Sequence, residues 1–466
     1  MKYASDFSLD GLRRAHFIGI GGIGMSGIAR LMLGLGYGVS GSDSKESEIT
    51  LALAREGAKI TIGHSRAALG AAGVVVVSSA IKADNPELAE AFRRGLTVVQ
   101  RALMLSKLAE LKKTVTVAGS HGKTTVTSMT AAALEAAGAD ATAVVGGIVK
   151  GAGSNLKLGR SEYLVAEADE SDGSFLYFSP LVACVTNIDS DHLDHYGNME
   201  NLKAAFVRHL NRLPFYGTAV LCADDKGVKE IIPALKVPFL TCGLGGGADW
   251  TARDVAFSAA GAAYTAYFKG KKRGRVRLHC GGEHNVRNSL LALAAGCYLG
   301  FDFGRLVAGL WNFSGVKRRM DRIGAAGGVD FVDDYGHHPT EVRATLAAAR
   351  GLFPGRRLMV LFQPHRYSRT RLLYKEFGAA FGAADRVYLA PVYAAGEAPL
   401  PGVSSGLILK QLLKNGARAS EFAGPLAAMK DLKPGDVFLT LGAGDVWKLG
   451  EEIKLKMQTL GGNLGN

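Results

Sequence analysis

The chain has 466 residues, of which 48% are hydrophobic and 21% are charged. This length and balance are typical of a globular protein with two to four domains. No apolar run approaches the roughly 18 residues that a membrane-spanning helix needs, and the N-terminus lacks the charged-then-apolar order of a secretion signal. We therefore expect a cytoplasmic protein without membrane insertion.

Charge and cysteine content limit the possible partners. The net charge of +13 suits either nucleic acid or small polyanions such as ATP and a second phosphorylated substrate. The densest basic cluster, residues 269–275, is predicted to be a solvated hairpin turn, and no nucleic-acid-binding pattern stands out. The five cysteines are scattered and form no C-x-x-C pair, so neither a disulfide framework nor a zinc site is predicted.

Short apolar strands alternate with helical segments along most of the chain, which predicts the α/β class. We expect three domains. Residues 1–111 form a Rossmann-like parallel sheet, residues 112–321 a central P-loop ATPase-type α/β domain, and residues 322–466 a C-terminal Rossmann-like α/β domain. The central domain carries a β-rich insert near residues 250–280, followed by a helix at about 284–299.

A glycine-rich loop follows the first predicted strand. It reads G-x-G-x-x-G, and an acid, Asp43, ends the next predicted strand about 20 residues later, as in loops that hold a pyrophosphate. Ser78 and Ser79 stand at the carboxyl end of a further predicted strand, where doubly wound sheets bind ligands. We predict that this region binds a substrate with a pyrophosphate, which NAD, FAD and UDP-sugars all carry. The loop glycines are Gly19, Gly21, Gly22 and Gly24.

A second glycine loop lies between a β-branched strand at residues 114–117 and an alanine-rich helix. Backbone N–H groups at such a turn face phosphates. Lys123 can reach the β- and γ-phosphates of a nucleotide, and the Thr124 hydroxyl can ligate Mg²⁺. The pattern is a shortened Walker motif, because Val117 stands where the full motif has glycine. The predicted ATP-binding loop is Gly119, Ser120, His121, Gly122, Lys123, Thr124 and Thr125.

Acidic clusters follow two further strands predicted in the same domain. Glu167 begins the run E-A-D-E-S-D, and His192 lies among aspartates after a strand predicted over residues 184–188. Carboxylates at the carboxyl ends of strands beside a phosphate loop suit Mg²⁺. We predict that Thr124, Glu167 and His192 hold divalent metal. The alternative is that both clusters are solvated loops.

Together these motifs resemble those of the Mur ligases, the ATP-dependent amide-forming enzymes of peptidoglycan synthesis. The resemblance covers nearly the whole chain. It implies domains for a UDP-sugar, for ATP with Mg²⁺ or Mn²⁺, and for an amino acid. The form D-Y-G-H-H at residues 334–338 favours the member that joins L-alanine to the lactyl carboxylate of UDP-N-acetylmuramic acid through an acyl phosphate. Further motifs in the family's order are residues 282–288, 313–319, 333–341, 363–370, 393–397 and 442–445.

The resemblance also implies individual roles around ATP. Asn285 and Asn288, one helical turn apart, would face the adenine. Asp334 would bind the ribose, and Arg319 would steady the transferring phosphoryl group. The implied catalytic residues are Lys123, Glu167, His192, Arg319 and His337.

The amino-acid site implied by the resemblance contains His337, Arg366 and Arg369. One of the arginines would pair with the carboxylate of the amino acid, and His337 is a candidate for the base that accepts the amine proton. One departure concerns a lysine that several relatives carbamylate to help hold metal, because the apparent equivalent here is Phe206. We expect a monomer or a weak homodimer.

Three other functions stay open at this point. A sister ligase would add a preformed peptide to the same UDP-sugar. A basic nucleic-acid-binding NTPase would show ATP hydrolysis stimulated by DNA or RNA, with strong salt dependence. A nicotinamide dehydrogenase would use the first glycine loop and ignore ATP.

Overall fold

The computed structural model describes residues 3–78, 80–146 and 156–462. The contacts divide the chain into two compact units. The first contains the described residues up to 252, with 266–274 and 287–312; the second contains 253–265, 275–286 and the described residues from 313 onward. Three β-sheets form within the described ranges.

The first sheet is built from short strands, of which β4 and β5 are rich in valine, with helices between them. The elements are β1 (Arg14–Ile18), α1 (Ile23–Gly34), β2 (Gly38–Asp43), α2 (Glu48–Arg55), β3 (Lys59–Ile62), β4 (Val74–Val77), α3 (Pro86–Arg93), β5 (Thr97–Gln100) and α4 (Arg101–Glu110). All strands are parallel, in the order β3-β2-β1-β4-β5. All four valines of β4 are buried, as expected for a central parallel strand covered on both faces. The parallel Rossmann-like sheet predicted from the sequence is confirmed.

The second sheet has ten strands. They are β6 (Lys113–Ala118), β7 (Thr142–Val144), β8 (Leu156–Lys157), β9 (Tyr163–Glu167), β10 (Val182–Val185), β11 (Thr218–Cys222), β12 (Phe239–Gly243), β13 (Trp250–Ser258), β14 (Gly261–Phe268) and β15 (Lys271–Leu278). Their order is β15-β14-β13-β12-β11-β10-β6-β9-β7-β8. The strands β6, β9, β10, β11 and β12 are parallel, so their carboxyl ends meet at one edge. The β-rich insert predicted near 250–280 is β13 to β15.

Helices cover the second sheet. They are α5 (Lys123–Ala136), α6 (Leu193–Tyr196), α7 (Met199–Leu210), α8 (Lys226–Ile231), α9 (Glu283–Tyr298) and α10 (Phe303–Asn312). Helix α10 approaches α5 closely at Gly309, where a Cβ atom would lie 2.4 Å from the carbonyl oxygen of Ala132. Glycine is needed there because a larger residue would push the two helices apart.

The C-terminal part of the chain forms the third sheet. Its elements are β16 (Asp321–Ala326), β17 (Val329–Asp334), α11 (Pro339–Leu352), β18 (Leu358–Phe362), α12 (Tyr367–Gly378), β19 (Arg386–Leu389), α13 (Gly406–Lys414), β20 (Ala419–Glu421), α14 (Pro425–Asp431), β21 (Val437–Leu441) and α15 (Val446–Gly462). The order is β16-β17-β21-β18-β19-β20, with only β16 antiparallel to its neighbour. Apolar side chains on both faces of this sheet form the core of the second unit.

All five cysteines are free thiols. Cys184, Cys222 and Cys242 are buried on the neighbouring strands β10, β11 and β12, and Cys222 stands opposite Cys242 in register. Burial raises the pKa of Cys184 to about 12 and that of Cys222 to about 11, and it raises the pKa of Cys242 well above the ordinary value. Burial also raises the pKa of Cys280 to about 12 and that of Cys297 to about 11. The thiols are therefore protonated near neutral pH.

Candidate functional site

The first glycine loop connects β1 to α1 and is held by the end of β2. The N–H group of Gly19 donates to the carbonyl oxygen of Ser42, and the N–H group of Gly21 donates to Asp43 Oδ2 at 2.9 Å. A Cβ atom on Gly21 would lie 2.9 Å from the same carboxylate oxygen, and one on Gly24 would lie 2.2 Å from a guanidinium nitrogen. Gly21 therefore permits the close approach of Asp43, which fixes the shape of the loop, whereas the group nearest to Gly24 is the end of the flexible Arg101 side chain. Gly22 lies directly before α1.

The predicted serines follow β4, next to β1 in the first sheet. Ser78 comes directly after the strand, and its Oγ accepts a hydrogen bond from the N–H group of Ala80 at 3.3 Å. Ser79 lies outside the described residues. The glycine loop and Ser78 thus lie at the carboxyl ends of neighbouring strands, where doubly wound sheets bind ligands.

The second glycine loop lies between β6 and α5, as predicted. Gly119 has φ +128° and Gly122 has φ +84°, values that favour glycine. A Cβ atom on Gly119 would lie 2.1 Å from Thr186 Oγ1. Lys123, Thr124 and Thr125 form the first turn of α5, whose N–H groups have no acceptor within the helix. This is the arrangement that binds phosphates at a helix N-terminus.

The chain after β10 holds the phosphate loop in shape. Asn187 Oδ1 accepts a hydrogen bond from the N–H group of His121 at 2.9 Å, and Asn187 Nδ2 donates to the His121 carbonyl oxygen at 2.9 Å. Thr186 Oγ1 donates to the same carbonyl oxygen at 2.6 Å, and the N–H group of Ser120 donates to the Asn187 carbonyl oxygen. The strand predicted over residues 184–188 ends at Val185 instead, because the following residues bond to the phosphate loop.

Lys123 lies between the phosphate loop and the acidic cluster after β9. Its Nζ donates to the Gly119 carbonyl oxygen at 2.7 Å and to Glu170 Oε1 at 2.8 Å. Burial lowers the pKa of Lys123, but the carboxylates of Glu170, Asp169 and Glu167 outweigh burial, and the pKa lies above its ordinary value. The ammonium group is therefore charged and lies directly at the phosphate loop. Glu170 is not among the site residues predicted from the sequence, although it lies in the predicted acidic run.

The predicted metal residues Thr124, Glu167 and His192 lie around the same cluster. Thr124 Oγ1 is 3.0 Å from Glu167 Oε2, which also accepts a hydrogen bond from the N–H group of Gly146 at 2.7 Å. His192 Nε2 is 3.7 Å from Glu170 Oε1. The other carboxylate oxygen of Glu170 is buried and has no hydrogen-bond partner among the described residues. Carboxylate and hydroxyl oxygens with an imidazole nitrogen form a donor set that fits Mg²⁺ or Mn²⁺.

Phe206, the apparent equivalent of the carbamylated lysine, has a side chain that cannot bind a metal. It lies on α7, is fully buried, and packs edge-to-face on Phe175 with ring centroids 5.1 Å apart. A lysine there would put an ammonium group into an apolar cluster, at a high desolvation cost.

Helix α9 carries the two predicted adenine residues at its start. Asn288 lies against the phosphate loop, since a Cβ atom on Gly122 would be 3.1 Å from its Oδ1. Asn285 is buried, and its Nδ2 donates to the Gly281 carbonyl oxygen at 2.8 Å. The role of both residues towards adenine stays a prediction.

In the second unit, Arg319 lies between an aromatic ring and a carboxylate. Its guanidinium is 5.3 Å from the ring centroid of Tyr335, and its Nη1 donates to Glu341 Oε1 at 3.3 Å. Asp334 is buried and accepts three hydrogen bonds, from the N–H groups of Met320 and Gly336 and from a threonine hydroxyl. If Asp334 binds ribose as predicted, it does so through carboxylate oxygens that already accept hydrogen bonds within the protein.

His337, Arg366 and Arg369 lie near one another through His365. The rings of His337 and His365 are 5.5 Å apart, and Arg369 Nη1 is 3.3 Å from His365 Nδ1. His365 also stacks on Tyr393, with an interplanar angle of 13°. Arg366 directly precedes α12 and has φ +69°, and its buried Nε has no hydrogen-bond partner among the described residues. His365 and Tyr393 are not among the site residues predicted from the sequence, although both lie in motifs of the resemblance.

The next residue, His338, has a structural role. Its Nδ1 accepts a hydrogen bond from the N–H group of Thr340, while Glu341 accepts from the backbone of His337 and His338. Pro339 follows at the first helical position, where proline is favoured. These residues fix the start of α11 and thereby the position of His337.

Three family models match the chain in succession. Residues 14–113 match the catalytic domain of the Mur ligase family, residues 117–296 the Mur ligase middle domain, and residues 318–444 the Mur ligase glutamate ligase domain. The chain belongs to the Mur ligase family and is an ATP-dependent ligase with the three-domain α/β fold of that family. The predicted fold class and enzyme class are thus confirmed.

The similar curated proteins point to one member of this family. The UDP-N-acetylmuramate--L-alanine ligase of Endomicrobium trichonymphae is 49% identical over 438 residues, which cover 94% of this chain and 97% of that protein. The protein of the same name from Geobacter sulfurreducens is 47% identical over 453 residues, which cover 96% of this chain and 98% of that protein.

Solved structures agree. The crystal structure of UDP-N-acetylmuramate-alanine ligase from Thermotoga maritima has a TM-score of 0.77 and 29% identity, covering 96% of this chain and 99% of that one. A murein peptide ligase from Psychrobacter arcticus, at 24% identity and a TM-score of 0.66, shares the fold. No helix in the described ranges is both long enough and apolar enough to cross a membrane.

Proposed function

We propose that this chain joins L-alanine to the lactyl carboxylate of UDP-N-acetylmuramic acid and converts ATP to ADP and phosphate, as a step in peptidoglycan precursor synthesis. Curated relatives of that name, at 46–49% identity over at least 94% of the chain, support this substrate pair. The structural observation that carries the proposal is the position of Lys123, which bonds both to the phosphate loop and to the acidic cluster.

The first step activates the carboxylate. The lactyl oxygen attacks the γ-phosphorus of ATP and forms a new O–P bond. The bond between the γ-phosphorus and the bridging oxygen breaks, and ADP leaves with its electron pair. Two anionic groups have to approach each other, so positive charge is needed. Lys123 and Arg319 would supply it. Thr124, Glu167 and His192 would hold Mg²⁺, which neutralises phosphate charge when bound.

The second step forms the amide. The neutral amine of L-alanine attacks the acyl carbon of the acyl phosphate, and the tetrahedral intermediate expels phosphate. His337 is the proposed acceptor of the amine proton. Its Nδ1 is 3.1 Å from the Tyr335 carbonyl oxygen, so the neutral ring carries its proton on Nδ1 and its lone pair on Nε2. Arg366 or Arg369 would pair with the carboxylate of L-alanine.

The nucleotide-linked substrate would use the first sheet. The glycine loop and the residues that brace it, including Asp43, suit the pyrophosphate of a UDP-sugar, with Ser78 and Ser79 at the neighbouring strand end. The hydrogen bonds that the N–H groups of Gly21 and Gly19 donate to the Asp43 carboxylate and the Ser42 carbonyl oxygen support this assignment, because they preform the loop.

The decisive test is phosphate release from ATP. We expect release only when UDP-N-acetylmuramic acid and L-alanine are both present, and Lys123→Ala should lower kcat by at least about 10²–10³-fold, as for removal of a charge-stabilising group. A preference for a preformed tripeptide over L-alanine would assign the chain to the sister ligase reaction. Hydrolysis stimulated by nucleic acid, or release without the UDP-sugar, would refute the proposal.

A further inference from the structure

One end of the first unit exposes large aromatic side chains. Phe215, in the loop between α7 and β11, is 90% exposed, and the adjacent Tyr216 is 62% exposed. Their rings pack perpendicular to each other, with centroids 5.1 Å apart. A single exposed aromatic residue is common on proteins. Two adjacent ones at such exposure need a second observation before they indicate a surface that binds something.

The β14–β15 hairpin carries a group of cations without counter-ions. Lys269, Lys271, Lys272 and Arg273 are all exposed at the tip of the β14–β15 hairpin. None of the four forms a salt bridge with any residue in the described part of the chain, and the hairpin from residue 261 to 278 contains no acid. Like charges held together in this way repel one another and attract an anionic partner.

The end of helix α9 connects the two features. Tyr298, which is 39% exposed, donates its hydroxyl to the Tyr216 carbonyl oxygen at 2.8 Å. The preceding residue, Cys297, lies near both Arg273 and Asp302, and the guanidinium of Arg273 lies 5.7 Å from the ring centroid of Phe303. All of these residues belong to the first unit. Aromatic rings and cations therefore form one surface.

This surface lies away from the catalytic loop. Asn288, near the start of α9, is at the phosphate loop, whereas Tyr298 ends the same helix ten residues later. Ten residues of α-helix span roughly 15 Å. A partner could therefore bind the surface without entering the ATP site.

We propose that this surface, made of Phe215, Tyr216, Tyr298 and the four hairpin cations, binds an anionic lipid bilayer. Aromatic rings partition into the interfacial layer of a bilayer, while lysine and arginine attract anionic headgroups. A nucleic-acid duplex would account for the cations but would leave the exposed ring of Phe215 unexplained, because its bases are already stacked on one another. The attachment is peripheral, because no described helix can span a membrane.

Vesicle flotation with the full-length chain tests this inference. We expect binding to vesicles of phosphatidylcholine with phosphatidylglycerol, no binding to phosphatidylcholine alone, and release at high salt as charges are screened. The triple variant Lys271→Gln, Lys272→Gln and Arg273→Gln should reduce the partition coefficient roughly 100-fold, since each cation near a membrane contributes about a fivefold factor. Phe215→Ser with Tyr216→Ser should reduce it about tenfold.

Matched variants in the second unit serve as controls. Lys410→Gln with Lys414→Gln removes exposed cations of α13, and Leu413→Ser with Leu426→Ser removes exposed apolar side chains. These variants should bind vesicles like the unchanged chain, and all variants should keep ligase activity on soluble substrates, which verifies folding. Equal binding by the hairpin variant, binding to neutral vesicles alone, or retention on DNA or RNA in place of vesicles would overturn the inference.

Discussion

Asn187 shapes the phosphate loop from a position 66 residues further along the chain. Its side chain both accepts from and donates to the backbone of His121. We predict that Asn187→Ala lowers kcat/KM for ATP by roughly 5- to 150-fold, because two hydrogen bonds that preorganise the loop are worth about 1–3 kcal/mol. Steady-state kinetics with varied ATP measures this, and the KM for L-alanine should stay unchanged.

The matched control for this variant is Asn415→Ala. Asn415 Nδ2 donates to the Gly378 carbonyl oxygen at 2.9 Å, in the second unit and away from the phosphate loop. The Asn415→Ala variant loses a comparable hydrogen bond, and its KM for ATP should be unchanged. If both variants raised the KM for ATP equally, the specific role of Asn187 would be wrong.

Local motifs made some site residues predictable. Lys123 and Thr124 stand in a strand–loop–helix segment whose chemistry is contained in seven consecutive residues. Glu170, Asn187 and His365 were not predicted, because their roles depend on partners that only the folded chain brings near. The functional roles of Asp334 and Asn285 stay predictions, since each already bonds to the backbone around it.

At the scale of elements, the contact between α10 and α5 depends on a glycine. We predict that Gly309→Ala lowers the free energy of unfolding by about 1–3 kcal/mol, because the added methyl group would lie 2.4 Å from the Ala132 carbonyl oxygen. Since α5 begins at Lys123, displacement of this helix should also raise the KM for ATP. Denaturant unfolding and ATP kinetics measure both effects.

Gly304→Ala, on the same helix, is the control. Its Cβ atom would meet only the side-chain oxygen of Asp302, at 3.2 Å. Alanine has a higher helix propensity than glycine, so this variant should be neutral or slightly more stable. Equal destabilisation by both substitutions would mean that the close helix contact is not the cause.

Strong patterns made several elements predictable. The apolar runs of β11 and β18 and the β-rich insert are visible in the sequence, since buried parallel strands read as short apolar segments. The short strands β7 and β8 were not predicted, because three and two residues are too few for a periodic pattern. The strand β16 begins with two charged residues and contains one glycine in place of a regular alternation, so its pairing with β17 defines it.

At the scale of the molecule, stability should depend on pH through His209. This residue is fully buried against the ring of Phe175, and burial lowers its pKa from 6.5 to about 4. Between these values the unfolded chain binds a proton that the folded chain does not. The contribution of the buried neutral His209 to the free energy of unfolding is therefore fully present above about pH 6.5. As the pH falls towards 4, the free energy of unfolding decreases by up to about 3 kcal/mol.

We predict that His209→Leu flattens this dependence. Between pH 7 and pH 5 the unchanged chain should lose about 2 kcal/mol more of its free energy of unfolding than the variant. Denaturant unfolding at several pH values measures the difference. His279→Leu, at an exposed histidine, should follow the unchanged chain. Parallel curves for the unchanged chain and His209→Leu would contradict the assignment.

The three-domain organisation could be predicted because each domain repeats the strand–helix alternation around its own motif. The boundaries at residues 111–112 and 321–322 stay predictions. The contacts group the chain into two units, with parts of β13, β14 and β15 assigned to the second unit. Sequence patterning could not anticipate that division, because it arises from packing between distant segments.

The five protonated thiols make the chain convenient for site-specific labelling. A thiol with a pKa of about 11, such as that of Cys297, is a thiolate in only about one molecule in 10⁴ at pH 7, and maleimides react with thiolates. A new cysteine on the surface would therefore take up a dye while the native ones stay unmodified. Pairs of such dyes would report by energy transfer on the distance between the two units during turnover, without removal of any natural cysteine.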